Sequence, residues 1–126
     1  MNPIHEAPNL GDLLKYEEGS LHYSRQVATV AAGQTLELGS VVGRVTASGR
    51  LKRLDPAATD GTQVPVGLLL QAVDASLIEI PDTLLLSRHA VVALNAVVWP
   101  AGITAPDKLA AVESLERLGI LIYQSA

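Results

Sequence analysis

Neither cysteine nor phenylalanine occurs among the 126 residues of this chain, and aromatic residues make up only 3% of it. Without thiols there are no disulfides, thiolate nucleophiles or cysteine-based metal sites, which suits assembly in a reducing cytosol. The scarcity of aromatic rings removes the stacking platforms that nucleic-acid and sugar binders rely on. Charge is scarce too, at 17% of residues against about 25% in an ordinary soluble domain. A basic excess is also missing: 9 Lys and Arg face 13 Asp and Glu, giving a net charge of −4, which disfavours binding to a phosphate backbone. The opening Met1-Asn2-Pro3-Ile4-His5-Glu6 lacks the basic start and apolar run of a secretion signal, so export by that route is not expected. Residues 89–106 are uncharged apart from His89 and approach the roughly 18 residues of a membrane helix. Asn95, Pro100, Gly102 and Pro106 interrupt them, and no membrane span is expected.

What remains is aliphatic. At 13.2 kDa the chain fits one domain, and 48% of its residues are hydrophobic, so the core must be built from Leu, Val, Ile and Ala. A chain with so little charge cannot cover itself in the usual way. Part of its surface is expected to lie against further copies of itself or against a partner.

Along the chain, residues 1–24 carry Pro3, Pro8, Gly11 and Gly19 with acids at Asp12, Glu17 and Glu18, and read as a flexible arm preceding a β-rich domain over residues 25–126. Leu13, Leu14, Tyr16, Leu21 and Tyr23 are too apolar for a bare linker. Two readings stand for them: pairing with a partner that supplies the other face, or packing on their own domain. From Gln26 onward, short β-branched runs alternate with glycine. Val27-Ala28-Thr29-Val30 and Leu36-Glu37-Leu38-Gly39 flank a turn at Ala32-Gly33-Gln34. Val41-Val42-Gly43-Arg44-Val45-Thr46 and Arg50-Leu51-Lys52-Arg53-Leu54, joined through Gly49, signal a β-hairpin. Residues 66–73 and 90–98 are nearly all apolar and read as strands covered on both faces. The segment after Thr104 is the expected helix, with Thr104 as its cap, Pro106 in the first turn and Leu109, Val112, Leu115 and Leu118 as the apolar stripe. Gly119 ends it, and Ile120-Leu121-Ile122-Tyr123 forms a last strand. The fold class is therefore mainly β with one C-terminal helix, an α+β domain.

Chemistry finds little purchase. His22 with Glu17 and Glu18, and His5 with Asp12, form an irregular cluster in the arm, whereas a working site needs ligands held by a rigid shell. His89 beside Arg88 reads as a surface or interface histidine. Gly33, Gly39, Gly43 and Gly49 lack a dinucleotide-binding spacing, and Arg44, Arg50, Lys52 and Arg53 read as a solvated hairpin face or as a contact with an acidic patch on a neighbouring protein. No serine lies in a nucleophile-elbow context. The expectation is no catalytic residue, no metal, no cofactor and no small-molecule substrate. Trp99, the single tryptophan, together with Pro100, reads as an anchor of an interface or of the core.

The motifs Leu21-His22-Tyr23-Ser24-Arg25, Ala32-Gly33-Gln34-Thr35-Leu36, Gly39-Ser40-Val41-Val42-Gly43-Arg44-Val45, Asp60-Gly61, Gly67-Leu68-Leu69, Val98-Trp99-Pro100-Ala101-Gly102 and Leu118-Gly119-Ile120 follow one another in an order that resembles the phage lambda head decoration family, over residues 12–123. The resemblance implies a β-clip-like fold and a homotrimer on the outer surface of the virion capsid, assembled in the host cytoplasm. It also implies seating on the major capsid protein at three-fold and quasi-three-fold sites of the expanded head, where an N-terminal arm engages the shell and helps it withstand DNA pressure. The arm here is more acidic and poorer in Pro, Ala and Thr than the family pattern, so Leu13, Leu14, Tyr16, Leu21 and Tyr23 are named from this sequence alone. The rival readings are a β-clip or small-barrel binding domain of an enzyme, with converging His and carboxylates, and a carrier domain modified at Lys52.

Overall fold

The structure, a computed structural model, describes residues 10–17 and 24–123. Its centre is a closed five-stranded barrel drawn from one contiguous stretch of chain, in the order β2 (Arg25–Val30), β5 (Leu51–Arg53), β4 (Val41–Arg44), β6 (Pro65–Leu69) and β8 (Ile80–Leu86). β3 (Gln34–Leu36) and β7 (Val73–Ala75) form a two-stranded ribbon beside it. The first and last described segments, with β9 (Ala90–Ala93) between them, supply a second layer. A one-turn helix α1 (Leu10–Leu13) runs into β1 (Leu14–Glu17), and β1, β9 and β10 (Ile120–Tyr123) make a three-stranded sheet with β9 in the middle. Helix α2 (Ala105–Arg117) precedes β10. The fold is mainly β with a helix near the C-terminus, as the sequence pattern predicts.

Period-two alternation sorts the barrel side chains into two cores. Val42, Leu69 and Leu85 join Val30, Leu36, Leu51, Val73 and Ala75 in one cluster. Their neighbours Val41, Leu68 and Leu86 join Leu13, Val92, Leu115 and Ile120 in the other, which lies between barrel, sheet and helix. Adjacent residues of β4, β6 and β8 are thus buried on opposite faces, which is why these strands carry continuous apolar runs instead of alternation. The β4–β5 hairpin forms as expected, with Val42 opposite Arg53 and Arg44 opposite Leu51. At Gly43 an added Cβ would lie 2.5 Å from the Cα of Thr62, so only glycine lets the loop that follows Gly61 lie against the barrel.

Three expected strands differ in extent, each for a physical reason. The run 66–73 divides into β6 and β7, because after Leu69 the chain leaves the barrel and pairs with β3, placing Val73 opposite Leu36. The expected strand at 36–39 lies earlier, at Gln34–Leu36, for the same pairing. The run 90–98 stops as a strand at Ala93, where the last pair with Tyr123 is made, and continues as a 3₁₀ turn over Leu94–Ala96. Helix α2 starts as predicted: the Thr104 hydroxyl accepts from the Asp107 N–H at 3.3 Å. Its buried face is narrower than the expected stripe, holding Ala111 and Leu115 with Leu118 packed beside them, whereas Leu109 is exposed. Gly119 at φ +83° closes it; a Cβ there would press on the His89 ring, and the Gly119 carbonyl accepts from Ala90 N–H at 3.1 Å to start the pairing of β10 with β9.

Candidate functional site

The three-stranded sheet has one face on the core and one on solvent. Ala90, Val92 and Ile120 point inward and are buried. In the opposite direction, Tyr16 of β1, Val91 of β9 and Leu121 of β10 stand in one row across the sheet, and Tyr123 follows two residues further on. Tyr16 is 62% exposed and Tyr123 56%, so two of the chain's three tyrosines lie on this face with Leu121 between strand ends. β1 runs antiparallel to β9 and β10 parallel to it, with both Leu14 and Ile122 opposite Val92. The chain therefore enters β1 at the same end of the sheet at which it leaves β10.

Glu17 fixes the far end of β1. Its carboxylate accepts from Arg25 Nε at 2.7 Å, from Arg25 Nη2 at 2.8 Å and from Ser24 Oγ at 2.5 Å. The fork of Arg25 holds Glu17 below the ordinary glutamate value of 4.5, against the opposing effect of burial, and Ser24 adds to the lowering. Ser24 is itself buried, and its carbonyl accepts from the Ser87 N–H and hydroxyl.

The five apolar residues expected in the arm are thereby separated. Leu13 is fully buried in the core and Leu14 packs partly against it, while Tyr16 is exposed on the sheet. Leu21 and Tyr23 lie outside the described residues, as do His5, Glu18 and His22. The stretch Leu10–Glu17 is folded onto the body of the protein, because Leu13 fills a place between β9 and the barrel that only an apolar side chain can take. Trp99 packs partly buried against the same core, with Lys108 Nζ 5.4 Å from its ring centre, and its indole N–H is buried without a partner among the described residues. Pro100 lines a groove of about 670 Å³ with Arg53, Asp55, Asp60 and Asp107. Among the described residues no three His, Asp or Glu side chains gather as a metal cluster, and no helix is long and apolar enough to cross a membrane.

Two further exposed features were not legible as sites in the sequence. Leu77 and Ile78, at the turn between β7 and β8, are 90% and 68% exposed. A groove of about 350 Å³ lined by Leu10, Leu38, Leu70, Ala72 and Val98, with Glu37 and Gln71 at its rim, opens at the other end of β7. Two aliphatic residues before a strand look like core in any pattern of hydrophobicity, and only their position at a turn exposes them.

What the described sheet face and grooves offer is apolar surface. A family comparison matches residues 3–120 to bacteriophage lambda head decoration protein D. The chain belongs to that family. None of the curated proteins compared with it matches it. Family membership makes the chain a structural decoration protein of the phage head, a component of the virion that binds the capsid.

Proposed function

We propose that this decoration protein acts as a homotrimer on the outer surface of the expanded head, at three-fold and quasi-three-fold sites, where it ties major capsid protein subunits together against the pressure of packaged DNA and carries out no reaction of its own. The observation that carries the reading is the row of exposed Tyr16, Leu121 and Tyr123, with half-buried Val91 between Tyr16 and Leu121, on the sheet where the first and last described strands meet. An aromatic and aliphatic row on a chain so poor in charge suits a protein partner, because tyrosine buries a large area at small entropic cost. In this reading Tyr16, Leu21 and Tyr23 are shell contacts of the arm, Leu13 and Leu14 fasten its root, and Trp99 with Pro100 anchors the packing behind the trimer. Three such contacts on one body multiply: a single contact of about 1 mM is worth roughly −4 kcal/mol, and tethering gains about 10²–10⁴ in avidity.

The test is binding of the double variant Tyr16→Glu, Tyr123→Glu to expanded capsids. Both side chains are exposed, so thermal midpoint and solution mass should hold while capsid affinity falls at least about tenfold, the loss of roughly 1.4 kcal/mol. Undiminished saturation of the shell by this variant would remove the sheet face from the mechanism.

A further inference from the structure

Asp60 and Gly61 form a dipeptide with a chemical weakness. In an unrestrained chain the Gly61 nitrogen can attack Cγ of the Asp60 side chain. A C–N bond forms, the N–H proton and the carboxyl hydroxyl leave as water, and a five-membered succinimide results. Water then opens the ring at either carbonyl: one opening regenerates aspartate, and the other leaves isoaspartate, in which the side-chain methylene has become part of the main chain. Glycine makes the attack easiest, because no side chain hinders its nitrogen. The reaction needs a protonated carboxyl, a Gly61 N–H able to give up its proton, and a peptide free to turn its nitrogen toward Cγ.

Each requirement is opposed by a neighbour. Asp60 Oδ1 accepts from the Thr62 hydroxyl at 2.6 Å and from the Thr62 N–H at 3.1 Å, and these two donors favour the ionised carboxylate, holding Asp60 below the ordinary aspartate value of 3.8. The Gly61 N–H donates to Gln63 Oε1 at 2.8 Å. The other end of the same planar peptide is held as well, since the Asp60 carbonyl accepts from the Thr46 N–H at 2.8 Å. A peptide bonded through both its N–H and its C=O cannot turn toward Cγ without losing those bonds. Thr62 is itself buried, and its carbonyl accepts from the Asp55 N–H at 3.0 Å, so the donor that faces Asp60 is fixed in place. The product has no room either. Gly61 stands at φ +110°, where an added Cβ would meet the Arg44 carbonyl and Thr46 Oγ1, so a main chain lengthened by one carbon would be driven into the turn of the β4–β5 hairpin. We propose that residues 60–63 form a lock against succinimide closure at Asp60-Gly61, with Thr62 and Gln63 as the residues that keep it shut. A component of a virion is made once and is not replaced, so damage that accumulates with time is damage the particle keeps.

The test ages the full-length wild-type chain, Gln63→Ala and Thr62→Val for weeks in warm neutral buffer, each both folded and unfolded in guanidinium. Isoaspartate at position 60 is read by peptide mapping with electron-transfer fragmentation, which tells the two isomers apart, and thermal midpoints are taken in parallel. Gln63 is exposed, so Gln63→Ala should keep its midpoint, and Thr62→Val keeps the buried shape and the backbone N–H while losing the hydroxyl. The expected result is that the three unfolded chains isomerise alike and the folded wild type lags far behind them. Each folded variant should gain about fivefold over the folded wild type, the weight of one hydrogen bond in the population of the opened loop. A folded wild type that isomerises as fast as its unfolded chain overturns the lock. Gln63→Ala ageing at the wild-type rate overturns it too, since protection would then belong to the fold as a whole. The pH profile gives a second reading: without the Thr62 hydroxyl the Asp60 carboxyl takes up its proton at higher pH, so isomerisation of folded Thr62→Val should set in at higher pH than in the wild type. An unmoved profile removes Thr62 from the lock and refutes the proposal as stated.

Discussion

Glu17 accepts three hydrogen bonds from Ser24 and Arg25, so its protonation sets part of the acid limit of the fold. Its folded-state value lies below 4.5, so the folded chain binds fewer protons than the unfolded one as acid is added past that point. The contribution is complete above 4.5 and fades as pH falls through the folded value. With Glu17 10% and Arg25 22% exposed, the pair is worth about 1–2 kcal/mol. Glu17→Gln should cost that much at neutral pH and flatten the acid limb of the midpoint-versus-pH curve; a parallel, uniformly lowered curve would assign the effect to packing instead. At Trp99, truncation to Ala should cost about 2–3 kcal/mol by urea unfolding, since the ring is only partly buried. Trp99→Phe should cost less than half of that, because it removes a buried N–H that has no partner among the described residues. The prominence of Trp99 was plain in the sequence. The pairing of Glu17 with Arg25 was not, because eight positions and two strands of different sheets separate the partners.

Helix α2 shows how far a local pattern reaches. Its cap and its closing glycine are chemical signals carried by Thr104 and Gly119 and read directly from the chain. Its inward face is a tertiary property: Leu109 and Leu115 are equivalent in a hydrophobic stripe, yet one is 61% exposed and the other fully buried. Leu115→Ala should therefore cost about 2–5 kcal/mol and Leu109→Ala under about 0.5 kcal/mol, measured by denaturant midpoints. Equal effects would mean that the helix is rotated from the orientation described. Strand β8 escaped the sequence reading for a related reason. Pro81 and Asp82, the latter at φ +58°, break any strand pattern, but they lie in a bulge between the pairs Ala28–Thr83 and Val30–Ile80, where no ladder N–H is required. β1 was hidden by brevity, being four residues whose partner, β9, stands more than seventy positions away.

At the scale of the molecule, fold class, hairpin, helix and decoration family were legible because each rests on local chemistry or on the order of motifs. The closed barrel was not, because it depends on long-range pairing, and for the same reason the sequence left two readings open for Leu13 and Leu14, of which the structure takes packing on their own domain. That packing has a measurable consequence for truncation. A chain beginning at Ser24 loses Leu13 from the core and β1 from the sheet, and its thermal midpoint should fall by about 10 °C or more. A midpoint within a few degrees of the intact chain would mean that Leu10–Glu17 adds nothing to the body. The layout of the sheet also bears on how the protein is made. All five barrel strands have been synthesised by Leu86, and β9 then finds β1 already made, whereas β10 follows later and pairs with β9 in parallel. The row of Tyr16, Val91, Leu121 and Tyr123 is completed only once β10 has been made, so a chain terminated before β10 holds a barrel without the sheet face proposed above to meet the shell, and should fail to bind expanded capsids.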